Sequence, residues 1–225
     1  MSISVAIRST LLSAIFLIPG VISVAAQEAI DQAGFEKVIE ASSNVLEREA
    51  YRVKTVSEKY DHRGQPPVLR EESVGESLPT GRSRLVSTTS KNGVVETNET
   101  IWIGQRGWHR VGGGLWEPKQ QEMGSGLSVY DQVTGTSYRI VDRAKIGSES
   151  VTVYERVQKI DHIDGGTVTL REVATQKYWI TEEGRLLKTV RDVDTVGWPD
   201  RLEHTTSEYE YKPVGIVIRA PTVGK

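Results

Sequence analysis

Apolar positions near the amino terminus recur at the three- and four-residue spacing of a helix face. Ile30, Phe35, Val38 and Ile39, with the small Ser42, make one stripe and predict a helix over Glu28–Ser43. Val45 and Leu46 leave room for another turn. Gly34 lies inside it and weakens it by up to about 1 kcal/mol against Ala.

From Tyr51 the period shortens to two, and Val, Thr, Ile and Tyr dominate. Strands are predicted at Arg52–Lys59, Val68–Gly75, Arg82–Thr89 and Val94–Ile103, the last two joined across Asn92-Gly93, a pair suited to the positive φ angles of a tight hairpin. Gly107–Val111 and Leu115–Glu117 flank three glycines, and Ser128–Val133 is read as a short helix. Further strands are predicted at Ser137–Val141, Ser150–Ile160, Thr167–Lys177, Tyr178–Thr181, Arg185–Asp194, Arg201–Tyr211 and Val214–Arg219. Helix and strand do not alternate, which excludes a doubly wound parallel fold. The fold class is α+β, mainly antiparallel β: a curved, half-open barrel of roughly ten strands, covered by the N-terminal helix and the short central helix. No linker or repeat divides residues 27–225, which read as a single domain.

Composition narrows the chemistry. The 225 residues carry 28 Lys and Arg against 30 Asp and Glu, so no basic surplus marks a nucleic-acid binder. There is no cysteine, which removes disulfides, thiolate metal sites, cysteine nucleophiles and any lipid-modified cysteine. Residues 1–26 read as a secretory signal peptide: Arg8 is the positive region, Leu11–Val24 the apolar run, and Val24-Ala25-Ala26 the small-residue cleavage site. The rival reading, a membrane anchor, meets a short apolar run broken by Pro19-Gly20. The expected location is the periplasm or the exterior.

Catalytic signatures are missing. Gly-x-Ser-x-Gly does not occur, and Gly112-Gly113-Gly114 has no Gly-Lys-Ser/Thr after it. His62, His109, His162 and His204 are scattered, and Asp161-His162-Ile163-Asp164 abuts the turn residues Gly165-Gly166. Glu182 and Glu183 sit beside Gly184 as solvated turn residues, and no cofactor or metal is expected. Two strands instead carry apolar residues on both faces: Ile101 and Ile103 alternate with Trp102, and Tyr178 and Ile180 with Trp179. Aromatic side chains of this kind line pockets for apolar ligands. The candidate lining is Ile101, Ile103, Trp108, Trp116, Tyr178 and Ile180, with Trp102 and Trp179 on the alternative face.

The segment Tyr178–Lys188, a strand, acidic-glycine turn and strand, is followed by Tyr209-Glu210-Tyr211-Lys212-Pro213-Val214 and Ile216–Pro221. With the helix leading into Tyr51-Arg52-Val53-Lys54, and Ile101-Trp102-Ile103-Gly104 running on to Trp108 and Trp116, this resembles the bacterial lipoprotein-carrier superfamily. That group includes the periplasmic lipoprotein chaperone, its outer-membrane receptor and mycobacterial glycolipid-binding lipoproteins. The resemblance implies a half-open barrel closed by helices over an apolar cavity, binding lipid or lipoprotein acyl chains without catalysis. The well-studied carrier holds its helical lid shut with an arginine; Arg52, Arg82 and Arg84 all stand as possible counterparts, so none is carried over, and the charged loop Arg63–Gly81 departs from the pattern. The alternative is an envelope protein-interaction or stress-sensing module, with envelope membrane proteins as partners and no nucleic acid. The leader reading has a direct check: Edman sequencing of exported protein should begin at Gln27, and an intact Met1 start excludes cleavage.

Overall fold

The computed structural model describes residues 28–119 and 129–223, so the predicted leader lies outside the described residues. Its elements are β1 (Glu28–Ala29), α1 (Gln32–Arg48), β2 (Tyr51–Tyr60), β3 (Leu69–Leu78), β4 (Arg82–Lys91), β5 (Val94–Ile103), β6 (Arg106–Val111), β7 (Glu117–Lys119), β8 (Val129–Ile146), β9 (Glu149–Asp164), β10 (Thr167–Thr181), β11 (Leu186–Thr195) and β12 (Trp198–Tyr211). All twelve strands form one antiparallel sheet, ordered β1-β8-β9-β10-β11-β12-β2-β3-β4-β5-β6-β7. The sheet is curved and does not close.

Several predicted boundaries change, each for a physical reason. The strand count is twelve where roughly ten were expected, and short β1 and β7 are the outermost strands. Short outer strands limit the backbone offered for unwanted pairing. Val129–Val133 belongs to a strand and not to a central helix: β9 supplies cross-strand partners from Asp164 back to Ile160. Ser128 lies outside the described residues. The same ladder carries the chain past Gly135 into the predicted strand Ser137–Val141, giving a single 18-residue β8. About half of the expected loop Arg63–Gly81 is β3, whose charged run Arg70-Glu71-Glu72 is held in a strand paired on both sides. Val214–Arg219 is not a strand; Ile218 is buried, and Arg82 Nη1 donates to its carbonyl at 3.3 Å.

Helix α1 starts later than its apolar stripe because Asp31 caps it. The Asp31 carboxylate accepts from the Gly34 N–H at 2.7 Å. A Cβ on Gly34 would stand 2.9 Å from that same oxygen, so the glycine accommodates the cap. Phe35 is the anchor, only 2% exposed, with its ring 4.7 Å from that of Tyr138 and 5.6 Å from that of Tyr178. Burying a phenyl ring contributes about 1.5–3 kcal/mol. Tyr178, Ile180 and Leu186 complete the cluster, with Tyr154 and Tyr209 packed against it.

Leu186 sits at an irregularity. Trp179 pairs with Lys188 but Ile180 with Leu186, so Leu187 is an extra residue in β11. The Leu186 N–H donates to Tyr211 Oη at 3.1 Å, and that hydroxyl donates to the Leu186 carbonyl at 3.2 Å. One phenol thus replaces the strand partner that the bulge removes. Tyr211→Phe should therefore cost about 1–3 kcal/mol in urea unfolding, the penalty for buried polar groups left without a partner.

Burial also pushes the Tyr211 phenol up to about 12, and raises Tyr178 and Tyr209. Unfolded tyrosines ionise near pH 10. The stabilisation is complete below that pH and is lost as pH climbs towards 12. Circular-dichroism melts should show a constant midpoint from pH 8 to about 9.5 and a fall above pH 10, shallower in Tyr211→Phe.

Candidate functional site

Registers across the ladders assign every strand side chain to one of two faces. Alternation along each strand carries the Phe35-contacting Tyr178 to Thr189, Ser207, Thr55, Ser73, Ser87 and Asn98 on the same face. This is the helix face. Tyr178, Ile180 and Trp102 lie on it. Ile101, Ile103 and Trp108 lie on the opposite face, as does Trp179. The six residues of the candidate lining are therefore not brought together. Trp116 belongs with the opposite group, since its ring lies 4.6 Å beneath the Arg110 guanidinium, and Arg110 alternates with Trp108's neighbours on that side.

The opposite face is closed by ion pairs. Glu99 is 8% exposed and accepts from Arg84 Nε at 2.6 Å and from Arg110 Nη2 at 2.5 Å. Burial pushes its carboxyl up, yet the hydrogen bonds and charges of Arg110 and Arg84 outweigh that and hold it below the usual range. Glu155, more deeply buried, is bound by Arg139 and lies 3.7 Å from Lys177. Lys188 stands 5.8 Å over the Trp179 ring. Satisfied ladders of this kind leave few donors for a ligand.

On the helix face, α1 packs on the end of the β8–β12 half that carries Tyr138, Tyr154, Tyr178 and Tyr209, and leaves the β2–β6 half open. There a groove of about 290 Å³ is lined by Tyr51, Val53, Gly75, Leu85 and Trp102. Two glycines shape it. A Cβ on Gly75 would stand 2.9 Å from Val53 Cγ1, so its absence lets Val53 lean over β3. A Cβ on Gly107 would meet the Trp102 ring at 2.6 Å, so the indole lies flat across β6. Leu85 is 45% exposed at its centre. A larger hollow of about 520 Å³ at the strand ends mixes charged side chains, among them Arg185, Lys188 and Glu208, with Ile146, Leu187 and Tyr211. Sequence reasoning missed Tyr51, Val53 and Leu85, although the alternation Tyr51-Arg52-Val53-Lys54 carries the signal.

Beyond the groove the face turns polar. Thr55 and Ser207 hydroxyls are 2.9 Å apart, and Ser57 and Thr205 hydroxyls 3.0 Å. Asp161-His162-Ile163-Asp164 lies wholly in β9, and the turn that follows is Gly165-Gly166. His162 Nδ1 is 2.7 Å from Asp131 and Nε2 is 3.0 Å from Glu172; the bond to Glu172, opposed by burial and aided by Asp131, raises its pKa. Among the described residues no cluster of three or more His, Asp or Glu is placed to hold a metal ion, and no helix is long and apolar enough to cross a membrane.

No family model matches the sequence, and no curated protein matches it. Among solved structures, a DUF1329 family protein from Desulfovibrio piger is similar over 80% of this chain and 92% of its own, at 10% identity and a TM-score of 0.32. A domain named for outer membrane lipoprotein sorting, from Vibrio parahaemolyticus, is similar over 81% of this chain and 94% of its own, at 11% identity and a TM-score of 0.29. Superpositions this loose carry no function to this chain.

Proposed function

We propose that this chain is a non-catalytic cell-envelope carrier that holds an acyl chain of a lipid or lipoprotein against the helix face of its open sheet. One observation carries the reading: the open apolar groove of Tyr51, Val53, Leu85 and Trp102 runs beside Tyr209 and continues the cluster that α1 covers. A ligand there needs no covalent chemistry. Each buried methylene contributes about 0.8 kcal/mol, so eight contribute about 6 kcal/mol before the cost of ordering the chain. The groove lies open along the sheet, so a chain enters and leaves along it. The sequence resemblance to lipoprotein carriers and the leader-like first segment support an envelope location.

A second reading has its own observation. Val196 and Trp198, at the β11–β12 turn, are 55% and 65% exposed, and Val168 lies near them in a shared surface hollow. An apolar hairpin tip of this kind suits recruitment of an envelope membrane protein.

A fluorescent fatty acid separates the two. The carrier reading expects saturable binding, a change in intrinsic fluorescence that Trp102→Phe abolishes, and at least tenfold weaker binding in Leu85→Asp. Val95→Asp, exposed on the opposite face, should bind as the natural chain does. Absence of binding, together with mass spectra free of co-purifying lipid, removes the carrier reading; stoichiometric capture of one protein then favours the interaction module.

A further inference from the structure

Side chains on the helix face change in kind along each strand. At alternate positions β2 reads Tyr51, Val53, Thr55, Ser57 and Lys59. β12, paired with it residue for residue, reads Tyr211, Tyr209, Ser207, Thr205 and Glu203. The face therefore passes from aromatic and apolar rows, through a hydroxyl row, to a charged row. The same order appears on β10, where Ile180 and Tyr178 precede Gln176, and on β9, where Tyr154 precedes Arg156.

Two arginines stand in the transition row. Gln176 pairs with Arg156 on one side and with Arg191 on the other, so both guanidiniums flank one amide on the helix face. Arg156 Nη2 donates to Gln176 Oε1 at 2.9 Å, and its Nε is buried without an acceptor. No carboxylate lies within ion-pair distance of Arg156 among the described residues, and Arg191 Nη1 is 3.9 Å from Glu203, beyond hydrogen-bond length. This contrasts with Arg84, Arg110 and Arg139, each bound to a carboxylate on the opposite face. Both charges also reach Tyr178: burial raises its phenol, while Arg156 and Arg191 pull it down. Guanidiniums present donors in a planar fork that fits phosphate oxygens.

We propose that Arg156 and Arg191, with Gln176 between them and the Thr205 hydroxyl beside Arg191, form an anionic headgroup subsite that selects phosphate-bearing amphiphiles. This rests on the acyl-chain reading and adds the polar end of its ligand. Arg191 lies two strands and four residues from Val53, about 17 Å across the face by strand spacing and rise. One acyl chain spans about 15 Å, half the roughly 30 Å hydrocarbon core of a bilayer. A phosphate on the arginine row thus places the tail towards the groove, over the hydroxyl row. Glu203 is the competing charge, released from Arg191 when phosphate binds.

Calorimetry on the leaderless chain, residues 27–225, tests this with three probes: lysophosphatidic acid, the monoacylglycerol of equal chain length, and inorganic phosphate. The expected result is at least tenfold tighter binding of the phosphate lipid than of the neutral one, weakening as salt rises. Arg156→Gln and, separately, Arg191→Gln should bring that ratio close to one while neutral-lipid affinity stays within twofold; Arg156→Lys should restore part of it, and Arg70→Gln on the opposite face should change nothing. Equal binding of both lipids, or a preference that survives both arginine substitutions, overturns the subsite and leaves the acyl-chain reading standing. Arginine-dependent binding of inorganic phosphate without either lipid keeps an anion site and removes the acyl chain. No binding of any probe overturns both.

Discussion

Nine of the eleven neighbouring strand pairs in this sheet are hairpins or short connections, and the two halves, β8–β12 and β2–β7, meet at the ladder between β2 and β12. Its ten pairs run from Tyr51 with Tyr211 to Tyr60 with Leu202, joining residues some 150 positions apart. Closing a loop of that size costs conformational entropy, which grows only slowly with length. The pairing returns it through continuous backbone bonds and two hydroxyl bridges, Thr55 to Ser207 and Ser57 to Thr205. Because side chains alternate, a slip of one residue would exchange the faces of half the sheet. Register in this one ladder therefore decides which residues of β2–β6 share a face with Phe35.

Given that register, the two faces divide the work. One is a ladder of buried carboxylates under arginines and lysine, with Glu99 and Glu155 as its fixed points. Removing one partner from such a pair strands a buried charge, which favours a unique arrangement over a deformable one. The other face is half covered by a single helix, and its uncovered rows keep apolar and polar groups in a graded order. A surface sealed by ion pairs and one left partly uncovered lie back to back on the same strands, separated only by the direction of alternate Cβ atoms.

The open topology bears on exchange of a ligand. A closed barrel would bury an acyl chain on all sides and require local unfolding for release. Here Trp102 and Val53 form a shallow wall made possible by Gly107 and Gly75, and the neighbouring helix ends where Glu49 meets Arg185 and Lys212. Those are partly exposed ion pairs, each worth about 0–1 kcal/mol, so the helix end is held by apolar packing more than by charge.

Much of the local structure was legible in the chain. Asn92-Gly93, at φ 51° and 78°, places the β4–β5 hairpin where the turn chemistry puts it, and β5 has its predicted bounds. The apolar stripe through Phe35 marked α1, although the Asp31 cap moved its start. The order Tyr51, Val53, Thr55, Ser57, Lys59 was also written at alternate positions, because period two is a local property of extended backbone. What failed were statements that needed one particular distant partner. Val129–Val133 became strand through β9, Val214–Arg219 found no ladder, and Ile101 and Ile103 parted from Tyr178 and Ile180. Alternation tells which residues of one strand share a side; only hydrogen-bonded register between strands tells whose sides are common. By itself the sequence determined the N-terminal helix, a run of antiparallel strands and the turns between them, and it added a central helix that the pairing with β9 replaced by strand. The tertiary structure decided which face is sealed by ion pairs and which is left open, since that choice is made by the pairing of β2 with β12.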